Sequence, residues 1–341
     1  MTSMDLLDMA CGARGMAFSF WILFLAITWK FLEANMYPES SRTPADAKSL
    51  GKAHILIFLL GFLPHSIFLF QDHFLYHTEH LEGLPEIPVI PSHVTVPLNN
   101  LTSADGIPLH GLWLASRATF AAEEHPPASM ALEALPERGA PVLLWVPDPD
   151  THLSERLARL PLLAGLAMDV VLFDYRGTGL SAGSFDSRAM PADLDGVWNK
   201  LTKDHALSPG SIILYGEGTG AWPAAALALR HTQNIGGLVL EAPAASLVDQ
   251  IENYIPFLGR LIVRIDTPVL PSAEKYLGPL LLFHRADASR GTIEENRTIF
   301  ASVRTSRKLF VELAPATSGT PFWKQPAWQT GWERFLKIRS E

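Results

Sequence analysis

The chain has 341 residues, with 27 Lys and Arg against 35 Asp and Glu and a formal net charge of −8. That balance argues against nucleic-acid binding, and a single cysteine, Cys11, excludes an intrachain disulfide and a cysteine-based metal site. The length allows one large α/β domain plus extra segments, and a hydrophobic content of 48 % with a mean hydropathy of +0.15 directs attention to the membrane.

Two apolar runs open the chain. "GMAFSFWILFLAITW" (15–29) carries no charge and reaches Leu32 if Lys30 snorkels; "AHILIFLLGFLPHSIFLFQ" (53–71) holds Pro64 and His65 but no charge. A spanning helix needs about 20 residues, with roughly 17 as the lower limit. The reading is two transmembrane helices, 15–32 and 53–71, in an anchor of residues 1–80; a buried or re-entrant helix is the alternative for the second. Lys30, Arg42, Lys48 and Lys52 lie between the runs, the N-terminal tail has only Arg14, and the next basic residue is Arg117. The positive-inside rule then places the loop in the cytoplasm and the C-terminal domain on the non-cytoplasmic side, in the endoplasmic reticulum lumen or outside the cell. Two sequons, at Asn100 and Asn296, agree with that orientation as glycosylation candidates. The lipid bilayer is thus an expected partner.

"HFLYHTEH" follows, with His73, His77 and His80 at the spacing of one helix face. That spacing suits a metal, but no second ligand cluster completes a site, and a polar juxtamembrane helix explains it as well. No metal is expected.

A Pro-containing linker (81–92, including "LPEIPVIP") leads to the domain, 93–341. Its elements are "HVTVPL" and "LHGLWLA" as a hairpin around Asp105-Gly106, a polar connection 117–139, strand 141–147, helix 153–166, strand 169–175, the loop "RGTGLSAGS" and a helix from Pro191 to about Ala206. Strand 211–215, helix 221–231, strand 236–242, a helical stretch 246–263, strand 279–285, helix 292–304, strand 308–313 and helix 322–338 complete it. Strands separated by helices imply a parallel, doubly wound sheet of about eight strands, covered on both faces.

Between strand 211–215 and helix 221–231 sits "GEGTG", Gly216 to Gly220. One reading is a dinucleotide fingerprint, Gly216-x-Gly218-x-x-Ala221, with Glu241 about 20 residues on as the ribose-binding acid. That fingerprint usually follows a first strand, whereas several elements precede this one. The other reading is the strand–turn–helix in which G-x-S-x-G carries a nucleophile, here with Gly218 at the centre.

"VVLFDYRGTGLSAGSF", "IILYGEGTGA", "GLVLEAPAASLVDQI" and "PLLLFHRAD" together resemble the membrane-anchored α/β-hydrolase-domain proteins that act on monoacylglycerols and lysophospholipids, and the related serine-aminopeptidase-like group. The resemblance implies an α/β-hydrolase fold over residues 93–340, with no cofactor. It also implies where a triad would stand, and there this sequence departs. Gly218 takes the nucleophile position, Asp287 that of the acid, and Ser318 (or Thr317) that of the histidine; no histidine follows His284. The oxyanion loop becomes Val146, Pro147 and Asp148, with Thr219 supplying the N–H after the elbow. Gly216 and Gly220 allow close strand–helix packing, and a serine at 218 is expected to fit. His110, His152, His205 and His231 are expected to be surface or packing residues, and Ser181 to make a turn hydrogen bond. The resulting expectation is a pseudoenzyme with an apolar cleft near Gly218, binding an acyl lipid ligand or a protein partner. The alternative is an active lipase or esterase with a rewired site.

Overall fold

The computed structural model describes residues 93–116, 141–151, 153–166, 168–231, 235–243, 268–287, 291–315 and 321–340, with 30, 52, 72, 76–78, 80–83, 246, 248 and 263 besides. The chain divides into two units, residues 1–75 with 251–264 and residues 76–250 with 265–341. Among the described residues no helix is long and apolar enough to cross a membrane. Apart from residues 30, 246, 248 and 263, both expected spans, the helical stretch 246–263 and most of the linker lie outside them.

The larger unit is built on one eight-stranded sheet. Its strands are β1 (His93–Pro97), β2 (Gly111–Ser116), β3 (Val142–Val146), β4 (Asp169–Phe173), β5 (Ile212–Glu217), β6 (Gly237–Glu241), β7 (Leu280–Arg285) and β8 (Lys308–Leu313), in the spatial order β1-β2-β4-β3-β5-β6-β7-β8. The β1–β2 and β2–β4 pairs are antiparallel, and all others are parallel. Its helices are α1 (Leu153–Ala164), α2 (Met190–Asn199), α3 (Ala221–Arg230), α4 (Leu270–Ala273), α5 (Ile293–Ser302) and α6 (Pro326–Ser340); α4 packs on α3 and α5. The four-residue α4 has no counterpart in the sequence reading. The last helix starts later than 322 because a 3₁₀ turn at Phe322–Lys324 and extended Gln325 precede Pro326, which suits a first helical position.

Period-two alternation sorts each central strand onto two cores. Val142, Leu144 and Val146 of β3 join Ile212, Leu214, Leu238 and Leu240 on the face covered by α2, α3 and α5. Leu143 and Trp145 join Ile213, Tyr215, Val239 and Phe283 on the face covered by α1 and α6. Central strands buried on both faces are what a parallel sheet between helix layers requires.

Candidate functional site

The strands β3 and β5 are parallel neighbours, with Val146 opposite Gly216. Their C-terminal ends therefore deliver the Pro147–Asp150 loop and the Gly218–Gly220 turn to the same place. Such carboxyl ends are where open α/β sheets place ligands. The strand β5 runs to Glu217, two residues beyond the expected end, because Gly216 and Glu217 still pair with Leu240 and Glu241.

Gly218 has φ +53, the left-handed region, at the sharp passage from β5 into a 3₁₀ turn and α3. A Cβ at Gly216 would lie 2.6 Å from Ala221 Cα and 2.9 Å from Ala224 Cβ; one at Gly220 would overlap the carbonyl oxygens of Val146 and Pro147. The helix thus crosses the strand at backbone contact, as the sequence reading anticipated.

The side chain of Asp148 reaches into this turn. Its Oδ2 accepts a 2.8 Å hydrogen bond from Thr219 N–H, and its Oδ1 accepts one of 3.0 Å from Asp150 N–H. A Cβ built on Gly218 would collide with Oδ2. The carboxylate occupies the volume where a nucleophilic side chain would begin and takes the N–H that would face a substrate oxyanion. The expectation that serine fits at 218 is corrected: it requires Asp148 to swing away. Pro147 beside it has no N–H to donate.

Opposite Asp148 lies the loop after β4. Asp174, 2 % exposed, accepts from Arg156 Nη2 at 2.8 Å and meets His110 Nδ1 at 2.9 Å. Burial raises its pKa, but His110 and Arg156 outweigh burial and hold it below the ordinary carboxylate value. Ser181 donates to Asp174 C=O at 2.6 Å and accepts from His110 N–H at 2.9 Å, a loop-bracing role as expected. His205 and His231 pack against Trp113 and Trp198. Tyr175 is buried, its hydroxyl meets no hydrogen-bond partner among the described residues, and burial pushes its pKa well up, with Asp193 and Asp148 adding to the effect. Asp148, Asp150, Arg156, Tyr175 and Thr178 line a cavity of ≈ 20 Å³, the size of about one water. Two carboxylates and a guanidinium belong to the lining of this cavity.

The remaining expected residues separate. Asp287 is exposed beyond β7 and accepts from Arg285 Nε at 3.4 Å. Ser318 and Thr317 lie outside the described residues. His284 is buried and its Nδ1 meets Asn296 Oδ1 at 3.3 Å, while Asn296 Nδ2 donates to Pro243 C=O at 2.8 Å. Asn296 is fully buried on α5, whose start is fixed by a Thr292–Glu295 capping box. Its amide nitrogen is used inside the fold, so the glycosylation reading fails there; Asn100 is exposed. His77 and His80 do not share a helix face, since 76–78 is irregular and His80 forms a bridge with Gly179; His73 lies outside the described residues, and no three-residue metal-ligand cluster occurs among the described ones.

The dinucleotide reading fails on Glu241, which is fully buried and bound to Arg159 Nη2 at 2.8 Å, out of reach of a ribose. Arg159, itself 0 % exposed on α1, also donates to Glu217 Oε1 at 2.7 Å and to the Tyr215 hydroxyl, while Tyr215 donates to Glu241 and Trp145 Nε1 donates to Glu217 at 3.0 Å. Burial works against the Arg159 charge, but Glu241, Tyr215 and Glu217 outweigh it and keep the guanidinium charged. This network sits directly beneath the elbow, and sequence reasoning missed it.

The antiparallel β1–β2–β4 edge, the 1-2-4-3-5-6-7-8 order and a positive-φ turn after β5 decide the fold. It is the α/β-hydrolase fold. Residues 156–308 match the family model described as serine aminopeptidase, S33. The chain is similar to protein bem46 of Schizosaccharomyces pombe, 28 % identical over 43 % of this chain and 49 % of that one. It is also similar to human alpha/beta hydrolase domain-containing protein 17C, 28 % identical over 34 % of each. The matches thus span half or less of these curated relatives. Among solved structures, the Pyrococcus furiosus esterase Pf2001 superposes with a TM-score of 0.53 at 15 % identity, covering 77 % of this chain and 97 % of that one. Est1E from Butyrivibrio proteoclasticus gives 0.51 at 14 %, covering 73 % and 100 %. At such identities the likeness shows the α/β-hydrolase fold alone.

The elbow of this α/β-hydrolase domain yields a direct test. Gly220→Val should destabilise it by a few kcal/mol through overpacking against the β3 carbonyls. Gly218→Ser should cost less, about 1–3 kcal/mol, from the left-handed backbone and the displaced Asp148, and Asp148→Gly in the same chain should recover part of that. Urea denaturation midpoints read all three; a milder Gly220→Val than Gly218→Ser would mean the close crossing is elsewhere.

Proposed function

We propose that the chain is a membrane-anchored, non-catalytic member of the α/β-hydrolase fold that binds an acyl lipid or a protein partner rather than turning a substrate over. The observation that carries this reading is the Asp148 carboxylate seated on Thr219 N–H beside Gly218. An acyl-transfer site needs a nucleophile, a base and open N–H donors for the developing oxyanion. Gly218 offers no nucleophile, no histidine follows His284, and Asp148 holds the donor. The two apolar runs, 15–32 and 53–71, support attachment to the bilayer, with the domain on the non-cytoplasmic side by the charge rule.

The test uses the full chain, kept in its membrane and then purified in mild detergent. A tag after Glu341 should resist protease added from the cytoplasmic side. Monoacylglycerol supplied during purification should be recovered intact, and retention of about one acyl lipid per chain would favour the lipid over the protein partner. A protease-sensitive tag would remove the assigned orientation, and conversion of the monoacylglycerol to free fatty acid would remove the non-catalytic reading.

A further inference from the structure

We propose that residues 76–78 and 80–83, which follow the second apolar run, form a strap whose engagement locks Asp148 in the elbow. The strap touches both loops that flank Asp148. Leu81 N–H donates to Gly179 C=O at 2.8 Å, beside the parallel bridge of His80 with Gly179. Tyr76 is 4 % exposed and packs edge-on against Phe185 at 5.2 Å. His77 and Leu81 help line the cavity that also holds Asp148 and Tyr175.

The strap is joined to the elbow by an unbroken chain of three hydrogen bonds. His77 N–H donates to Asp150 Oδ1 at 2.7 Å; Asp150 N–H donates to Asp148 Oδ1 at 3.0 Å; Thr219 N–H donates to Asp148 Oδ2 at 2.8 Å. The first bond ties the strap to the Asp150 side chain and so restrains the loop that carries the Asp150 N–H. That N–H holds one oxygen of Asp148 and so aims the other at Thr219. Hydrogen bonds to a charged carboxylate are the stronger kind, and bonds in series strengthen one another. With the strap down, the elbow N–H is occupied from inside the chain. With it lifted, Asp148 loses the support of the Asp150 loop and the elbow N–H opens to an outside acceptor. The device places control of the elbow in the chain segment nearest the anchor, and it holds whether or not the domain turns over a substrate.

Coupling of this kind is reciprocal, and amide hydrogen exchange on the full chain reads both directions. Asp150→Ala removes the acceptor for the strap and leaves every residue of the elbow in place; His77→Pro removes the donor. Each should speed exchange in the peptide holding Thr219 by about five- to tenfold, the scale of losing one hydrogen bond. In the opposite direction, Asp148→Ala should speed exchange at Leu81 N–H by a similar factor. Because His77→Pro also restrains Tyr76, Asp150→Ala is the deciding variant. Unchanged Thr219 exchange in Asp150→Ala, or unchanged Leu81 exchange in Asp148→Ala, would overturn the strap as a lock.

Discussion

Replacing Arg159 with leucine should cost the domain a large share of its stability. The guanidinium is fully buried between α1 and the sheet, ion-paired with Glu217 at 2.7 Å and Glu241 at 2.8 Å, and stacked 4.5 Å over Trp145. Leucine fills part of the volume but leaves two carboxylates facing each other across paired strands, with Arg285, 3.5 Å from Glu241, as a remaining cation. Removing one partner of a buried ion pair costs about 3–5 kcal/mol, a large share of the roughly 5–15 kcal/mol that holds a typical domain folded. Adding Glu217→Gln and Glu241→Gln should return much of the loss, because the uncompensated charges are then gone. Urea midpoints of the single and triple variants decide the matter: a single variant within about 1 kcal/mol of wild type would show that the network is not what holds α1 to the sheet.

The second large effect is an absence of turnover. Wild-type protein should hydrolyse short esters, monoacylglycerols and lysophospholipids no faster than background, since loss of triad members slows the chemical step by roughly 10⁴–10⁶. Gly218→Ser alone should not restore activity. The new hydroxyl would compete with Asp148 for the same space, and no base would take its proton. Clearing the space with Asp148→Gly still leaves the base missing, so the double variant should stay inactive; adding Ser318→His gives the arrangement in which Asp287 has an imidazole to orient. The decisive measurement is on the wild type. Saturable ester hydrolysis that disappears with Asp287→Ala or Asp148→Ala would show a live site with other chemistry.

Much of the architecture was legible because it rests on short-range rules. Apolar runs between helical segments gave the parallel sheet, and the glycines at 216, 218 and 220 marked the close crossing that Ala221 and Ala224 complete. The site was legible only as a set of missing groups. What fills the gap depends on contacts between residues far apart in the chain, such as Asp148 with Thr219 and His77 with Asp150. An Asp between two prolines at the end of a buried strand was the one local hint for Asp148. Arg159 was hidden for a different reason: on an amphipathic helix an arginine ordinarily lies on the wet face, and only the two acids ending β5 and β6 make its burial tolerable. Asn296 misled in the same way, since a sequon records three residue types and not whether the amide faces water.

Position 218 keeps the backbone twist that a nucleophile would need, φ +53, yet fills it with the residue for which that twist is nearly free. A side chain in this conformation raises the energy of the native state by about 1–2 kcal/mol, a load that active enzymes carry as part of their trade between stability and activity. At Gly218 that load is absent, and the Asp148 contact with Thr219 N–H adds a fastening across the turn. The elbow is a rivet rather than a spring, and heat should find it among the last parts of the sheet to come apart.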